Sequence, residues 1–243
     1  MHEDVSAAND LKINEAINTA ITQKGPVHIN APFEEPLYET VSALSVAANT
    51  VAFANNTQII SIEEVSEYAT IWNNATKKMI LVGVNEPNAI SKKTITAFAK
   101  EESVVVLTET TSNVHHETFI NTIDTIITPF TEEDFEYFRP EILVTFGGMV
   151  VSKRIKTFLR KYKPKHHWHI DSWRAYDTFG ALTKHFEVTP NVFFDAFLPL
   201  TNATESNYFQ QFNAVKVLRK LKSDFYLSKI PFSDFKVFEK VIQ

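Results

Sequence analysis

Cysteine is absent from the 243 residues, which removes disulfides and thiolate metal ligands from any account of this chain. Glycine is nearly as scarce, with five, at positions 25, 83, 147, 148 and 180. Neither G-x-G-x-x-G nor G-x-x-x-x-G-K-S/T can be written with those positions, so the common glycine cradles for phosphate are missing. No apolar run reaches the length of a membrane span, and the first residues show no charged-then-apolar leader pattern. The expectation is a cytoplasmic protein with no membrane span. A basic excess is lacking too: the net charge of −5 counts against a nucleic-acid partner. The clusters KVLRKLK and RKYKPK read as exposed helix faces. There is no G-x-S-x-G nucleophile motif, and no two carboxylates can be placed together as an acid–base pair.

Apolar and aromatic residues are plentiful, with 44% hydrophobic residues and 20 Phe, enough for an aromatic-rich core. The segment LKINEAINTAI carries Leu11, Ile13, Ala16, Ile17, Ala20 and Ile21 at helical spacing. GPVHINAPFEEPL follows, read as a short buried strand, VHIN, and an exit stiffened by Pro26, Pro32 and Pro36. The stretch 38–60 has no period and reads as a linker. In SIEEVSEYATIWNNATKK, Ser61 and Glu64 have the spacing of a capping box. From there the pattern alternates. MILVGV, VVVLTET, EILVTFG and HHWHID read as strands buried on both faces, with FEVT as a fifth. Helical stretches fall between them: SKKTITAFAKEE, FINTIDTII (ambiguous, favoured as helix), TEEDFEYFRP capped by Thr131, and SKRIKTFLRKY. NVFFDAFLPL, a long helix from Ser206 and a last one capped by Ser233 follow. Such alternation means βαβ units, hence an α/β fold with a doubly wound, mainly parallel sheet and helices on both faces.

Lys153 and Arg154 break a local rule. They occupy the first turn of the helix after the third strand, where the helix dipole disfavours cations. An anion would compensate them, and ligands of open α/β sheets bind beyond the carboxyl ends of strands. A carboxylate or phosphate site there competes with a solvated basic helix, since 151–165 holds seven basic residues and no acid. Alternation places His167, His169 and Asp171 on one strand face, a set that could hold zinc or be a polar strand end packed on a neighbour. The loop HHET, 115–118, reads as a solvated turn. Asp171 has the position of a ribose-binding acid in nucleotide folds, without the glycine loop that accompanies it.

GPVHINAPFEEPL is similar to a segment of the thiamine-diphosphate enzymes that make 2-succinyl-5-enolpyruvyl-6-hydroxy-3-cyclohexene-1-carboxylate for menaquinone synthesis. Gly25, Val27 to Asn30, Pro32, Phe33 and Glu35 to Leu37 carry the match. SKRIKTF resembles the Lys–Arg pair of that family's central domain, HIDSWRAYD the strand and turn that follow, and SDFKVFEKV the start of its C-terminal domain. The resemblance implies a Rossmann-like central domain at 61–205. Residues 1–40 would end the pyrimidine-binding domain, 41–60 would be a linker, and 206–243 would lead into the pyrophosphate-binding domain. It implies a transferase that uses thiamine diphosphate and Mg2+ to decarboxylate 2-oxoglutarate and add the four-carbon unit to isochorismate. It makes Lys153 and Arg154 a substrate-carboxylate clamp, with the flanking domains and a homo-oligomer as partners of the full-length protein. The cofactor-anchoring turn with its downstream Asn has no counterpart after Gly180, and the activating glutamate belongs upstream. Neither catalytic, cofactor-binding nor metal residues are therefore assigned here, and the chain alone is expected to be inactive. The alternatives are a stand-alone small-anion or nucleotide-binding module and an interdomain interaction domain.

Overall fold

The computed structural model describes residues 3–23, 25–32, 40, 42–43, 47, 49–51 and 59–242. It forms two compact units, 1–57 and 58–243. In the first, α1 (Glu3–Gln23) is the expected helix. Its Leu11, Ile17 and Ile21 are exposed, and side chains of Asp10, Asn14 and Asn18 bond the backbone at Asn49 and Val51. Val27–Asn30 does not form the buried strand expected of it. The backbone there makes no strand, and Val27 and Ile29 are exposed, because no partner strand lies beside it among the described residues. Most of 33–58, including much of the linker reading, lies outside them.

The second unit is built on five parallel strands: β1 (Lys78–Val82), β2 (Val104–Leu107), β3 (Ile142–Phe146), β4 (His166–Ile170) and β5 (Lys184–Phe186), in the order β2-β1-β3-β4-β5. β1, β2 and β3 are buried at every residue, as continuous apolar runs require when both sheet faces are covered. Alternation divides the core. Ile80, Val82, Val104, Val106, Val144 and Phe146 point to one side, under α2 (Ile62–Asn74), α3 (Lys92–Ala99) and α7 (Pro190–Phe197). Met79, Leu81, Val105, Leu107 and Leu143 point to the other. There they meet α4 (Ile123–Ile127), α5 (Glu132–Phe138), α6 (Lys153–Lys161) and the start of α8 (Tyr208–Lys229), which buries Tyr208 and Phe212. α9 (Asp234–Ile242) follows. The doubly wound α/β class read from the sequence is the class observed.

Local corrections have local causes. Ser61 caps α2 by accepting from the Glu64 amide, but the Glu64 carboxylate pairs with Lys184 and Ser61 donates to Glu63 instead. A reciprocal capping box is formed instead at Thr131 and Asp134. FEVT is displaced: β5 begins at Lys184 and ends at Phe186. In FINTIDTII only 123–127 is helical, while Ile120 bridges to Leu107. No described helix is long and apolar enough to cross a membrane.

Candidate functional site

The strand order reverses between β1 and β3, so the chain leaves their carboxyl ends in opposite directions and opens a crevice. Three exit loops meet there. After β1, Gly83 passes so close to the β3 exit that a Cβ on it would lie 1.9 Å from the Gly148 carbonyl oxygen. Gly147 takes φ +79°, a left-handed backbone that glycine adopts without penalty, and the Gly148 amide donates to Val84 O at 2.7 Å. After β2, Thr110–Ser112 makes one 3-10 turn. Ser112 Oγ accepts from the Glu109 amide and donates to Val82 O, both near 2.7–2.8 Å, and the Asn85 amide donates to Thr111 O at 3.1 Å.

This junction presents the start of α6. Ser152 is its N-cap, accepting from the Ile155 amide at 3.2 Å, and its hydroxyl donates to Asp124 Oδ1. Glu109, from the β2 exit, accepts the Val151 and Ser152 amides on its two carboxylate oxygens, each at 2.7 Å. The anion that the first turn of α6 demands is thus a protein carboxylate reached across more than forty residues. Sequence reasoning expected that anion to be a bound carboxylate or phosphate and missed Glu109. The only local signal was an acid three residues before Ser112 at a strand end.

Lys153 and Arg154 follow in this turn, both exposed. They line an open groove of about 440 Å³ with Thr128, Glu132, Thr157 and Lys161. Lys161 pairs with Glu132 at 2.7 Å. That contact holds the Glu132 carboxyl below its usual range and Lys161 above its own. Among the described residues neither Lys153 nor Arg154 has an acidic partner, so these two are the cations the groove leaves available to an incoming anion.

The histidines lie elsewhere. A second cavity of about 400 Å³, at the carboxyl ends of β3 and β4, is lined by His167, His169, Asp171, Lys156, Arg160 and Arg174 among others. Thr145 Oγ1 lies 2.8 Å from both His167 Nε2 and His169 Nδ1. Since a hydroxyl donates only once, at least one imidazole donates to it. His167 is buried and its Nδ1 has no partner. Burial pushes the His167 imidazole down to about 4 and lowers His169 as well. Asp171 does not join them: its Oδ1 accepts the Trp173 and Arg174 amides at 2.8 and 2.9 Å and shapes the turn after β4. Among the described residues no group of three His, Cys, Asp or Glu is arranged to hold a metal. In HHET, His116 Nδ1 contacts Thr118 Oγ1 at 2.9 Å, and it lies apart from both cavities.

Known proteins share this arrangement of sequence. The family model described as "Middle domain of thiamine pyrophosphate" matches residues 50–219. A 2-succinyl-5-enolpyruvyl-6-hydroxy-3-cyclohexene-1-carboxylate synthase of Flavobacterium johnsoniae is 60% identical over 99% of this chain and 44% of its own length. Proteins of the same name from Flavobacterium psychrophilum and Christiangramia forsetii are 57% and 47% identical, over 99% and 97% of this chain and 43% and 42% of theirs. The chain thus spans less than half the length of these curated relatives. The parallel five-stranded sheet and the family match over residues 50–219 place the chain in the thiamine-pyrophosphate enzyme middle-domain family.

Proposed function

We propose that this chain is the central part of a longer synthase that decarboxylates 2-oxoglutarate and adds the resulting four-carbon unit to isochorismate. In that reading Lys153 and Arg154 bind a substrate carboxylate. The observation that carries it is the groove at the start of α6, where two exposed cations lack acidic partners while the neighbouring Lys161 is already paired. Both substrates carry carboxylates, and guanidinium and ammonium groups bind them by charge-assisted hydrogen bonds. The side chains of Lys153 and Arg154 would make the contact, while Glu109 holds the loop before them through the amides of Val151 and Ser152.

Thiamine diphosphate, with Mg2+, supplies the carbanion stabilisation of such a reaction. The described residues do not fit that group: no metal-binding cluster exists among them, and Glu109 already lies on the amides before α6. In this reading the cofactor's seat belongs to the flanking domains of the full-length protein. This chain contributes binding and orientation, and alone it has no activity. Titration calorimetry of the isolated chain with thiamine diphosphate and Mg2+ is expected to show no micromolar binding; a micromolar site would overturn this division of labour.

Kinetics of the full-length protein test the clamp. Losing one charge-assisted contact costs about 1.5–3 kcal/mol, so Lys153→Ala and Arg154→Ala are each expected to raise the KM of one carboxylate substrate roughly ten- to a hundredfold. Unchanged kinetics in both variants would remove the pair from the site. A second reading, a small-anion-binding module, draws on the cavity of Lys156, Arg160 and Arg174 with the unpartnered His167 Nδ1. Stabilisation of the isolated chain by small dicarboxylates or nucleotides in a thermal-shift screen would favour it.

A further inference from the structure

We propose that Glu109 is a positioning residue for substrate binding: its carboxylate fixes the loop from which α6 presents Lys153 and Arg154. The proposal rests on the carboxylate-clamp reading above. Its basis is geometric. Both oxygens of Glu109 are engaged, one by the Val151 amide and one by the Ser152 amide, at 2.7 Å each. Two parallel N–H donors on one carboxylate define both the distance and the tilt of the segment that bears them, as a single contact does not. Val151 and Ser152 immediately precede Lys153, so a change in their position moves both cations together.

The residue that holds them is itself held. Glu109 sits at the end of β2, its amide bonded to Ser112 Oγ, and Ser112 is tied to the carbonyl of Val82 at the end of β1. The β3 exit is pinned from the same strand by the Gly148 amide on Val84 O. The clamp is therefore referenced to three adjacent strands, and Glu109 is the link from β2. Its charge acts as well. A carboxylate on the two amides just before α6 offsets the helix dipole that would otherwise oppose two cations in the first turn. It does so without contacting their side chains, which stay available to substrate. Asp124, bonded to the Ser152 hydroxyl, supports the same turn.

The test is a mutant cycle in the full-length protein, assayed with thiamine diphosphate, Mg2+ and both substrates. Glu109→Gln keeps the shape but offers a single carbonyl oxygen to two amides, and is the main variant; Glu109→Ala is the harsher companion. Glu109→Gln is expected to raise the KM that responds to Lys153→Ala and Arg154→Ala by about tenfold, with kcat changed less than about twofold. In a Lys153→Ala/Arg154→Ala background the same change should cost less than about twofold, because nothing remains to be positioned. Amide spectra of the isolated chain should show the Val151 and Ser152 resonances displaced while those of the sheet stay put. If the clamp variants raise KM and Glu109→Gln does not, or if it costs as much with the clamp removed, the positioning role is wrong and the clamp stands. If the clamp variants have no effect, both fall together. If Glu109→Gln lowers kcat and leaves KM alone, Glu109 acts on another step and the proposal is overturned.

Discussion

Two buried bases show how single residues set the pH response of this fold. His167, packed between Thr145 and the Phe179 ring, is held neutral by burial down to about pH 4, against about 6.5 for a free imidazole. Between those values the unfolded chain takes up a proton that the folded chain refuses, so stability falls as pH falls through that window. For one such group the loss from pH 7 to pH 5 comes to about 2 kcal/mol. His169 is shifted the same way by the same cause. Urea unfolding at the two pH values should show this loss in the wild type and a loss smaller by about that amount in His167→Phe; equal losses would assign the pH response to other groups. Lys78 acts in the alkaline range. It is fully buried, with Nζ 2.9 Å from Thr204 Oγ1, 4.9 Å from the Trp72 ring centre and 4.0 Å from Glu101. Burial lowers it from 10.5 to about 8. The unfolded chain is here the better proton binder between those values, so its contribution to stability rises with pH from about 8 to about 10.5. Lys78→Met removes a desolvated charge without opening a cavity and is expected to be at least as stable as wild type at pH 7. Its stability should also climb less than that of the wild type between pH 8 and 10, as read from unfolding midpoints. A Lys78→Met protein that is several kcal/mol weaker at pH 7 would make Lys78 a net stabiliser instead.

At the level of elements, the crossing of the β1 and β3 exits is the tightest constraint on the candidate site. Any side chain at residue 83 would meet the Gly148 backbone, which has no rotamer to yield. Gly83→Ala should therefore cost at least about 1–3 kcal/mol, measured by thermal or urea unfolding, and should disturb the Val151 and Ser152 amides downstream. A near-neutral Gly83→Ala would mean that the exits separate easily. Which elements were legible follows from the same physics. MILV, VVVL and ILVTF announced β1, β2 and β3 because a strand covered on both faces must be apolar at every position. β5 was misplaced because an edge strand of three residues with Lys184 and His185 lacks that signature. VHIN had the right composition for a strand, but composition cannot supply a partner. The first turn of α6 was recognisable as electrostatically odd, so Lys153 and Arg154 could be singled out. Glu109 could not, since a carboxylate forty-two residues away becomes its neighbour only once β2, β1 and β3 lie side by side.

For the molecule as a whole, the question is where the self-supporting core ends. The second compact unit runs from 58 to 243, and the resemblance reading placed the central domain at 61–205. Two aromatic residues just past that point are buried in the core. Tyr208 is 1% exposed, and its hydroxyl donates to Phe138 O at 2.8 Å. Phe212, also 1% exposed, packs its ring 4.5 Å from that of Phe138. Burial raises the Tyr208 phenol well above its ordinary value, so it stays a hydrogen-bond donor at any pH the fold survives. Farther along α8, Val217, Leu218 and Leu221 are about half exposed or more, and that part of the helix adds little to the core. Removing one large buried aromatic side chain costs about 3–5 kcal/mol. Losing both approaches or exceeds the about 5–15 kcal/mol that holds a typical domain together. Residues 59–222 are therefore expected to unfold in one cooperative transition at nearly the midpoint of 59–243. Residues 59–205 should lose near-UV circular dichroism and a sharp urea transition at 25 °C. The decisive comparison is Tyr208→Ala/Phe212→Ala in 59–222, which keeps the helix but deletes the two anchors. If it unfolds like 59–205, the first two turns of α8 belong to the core. If it keeps the wild-type midpoint, the stability of this α/β unit is complete before α8 begins.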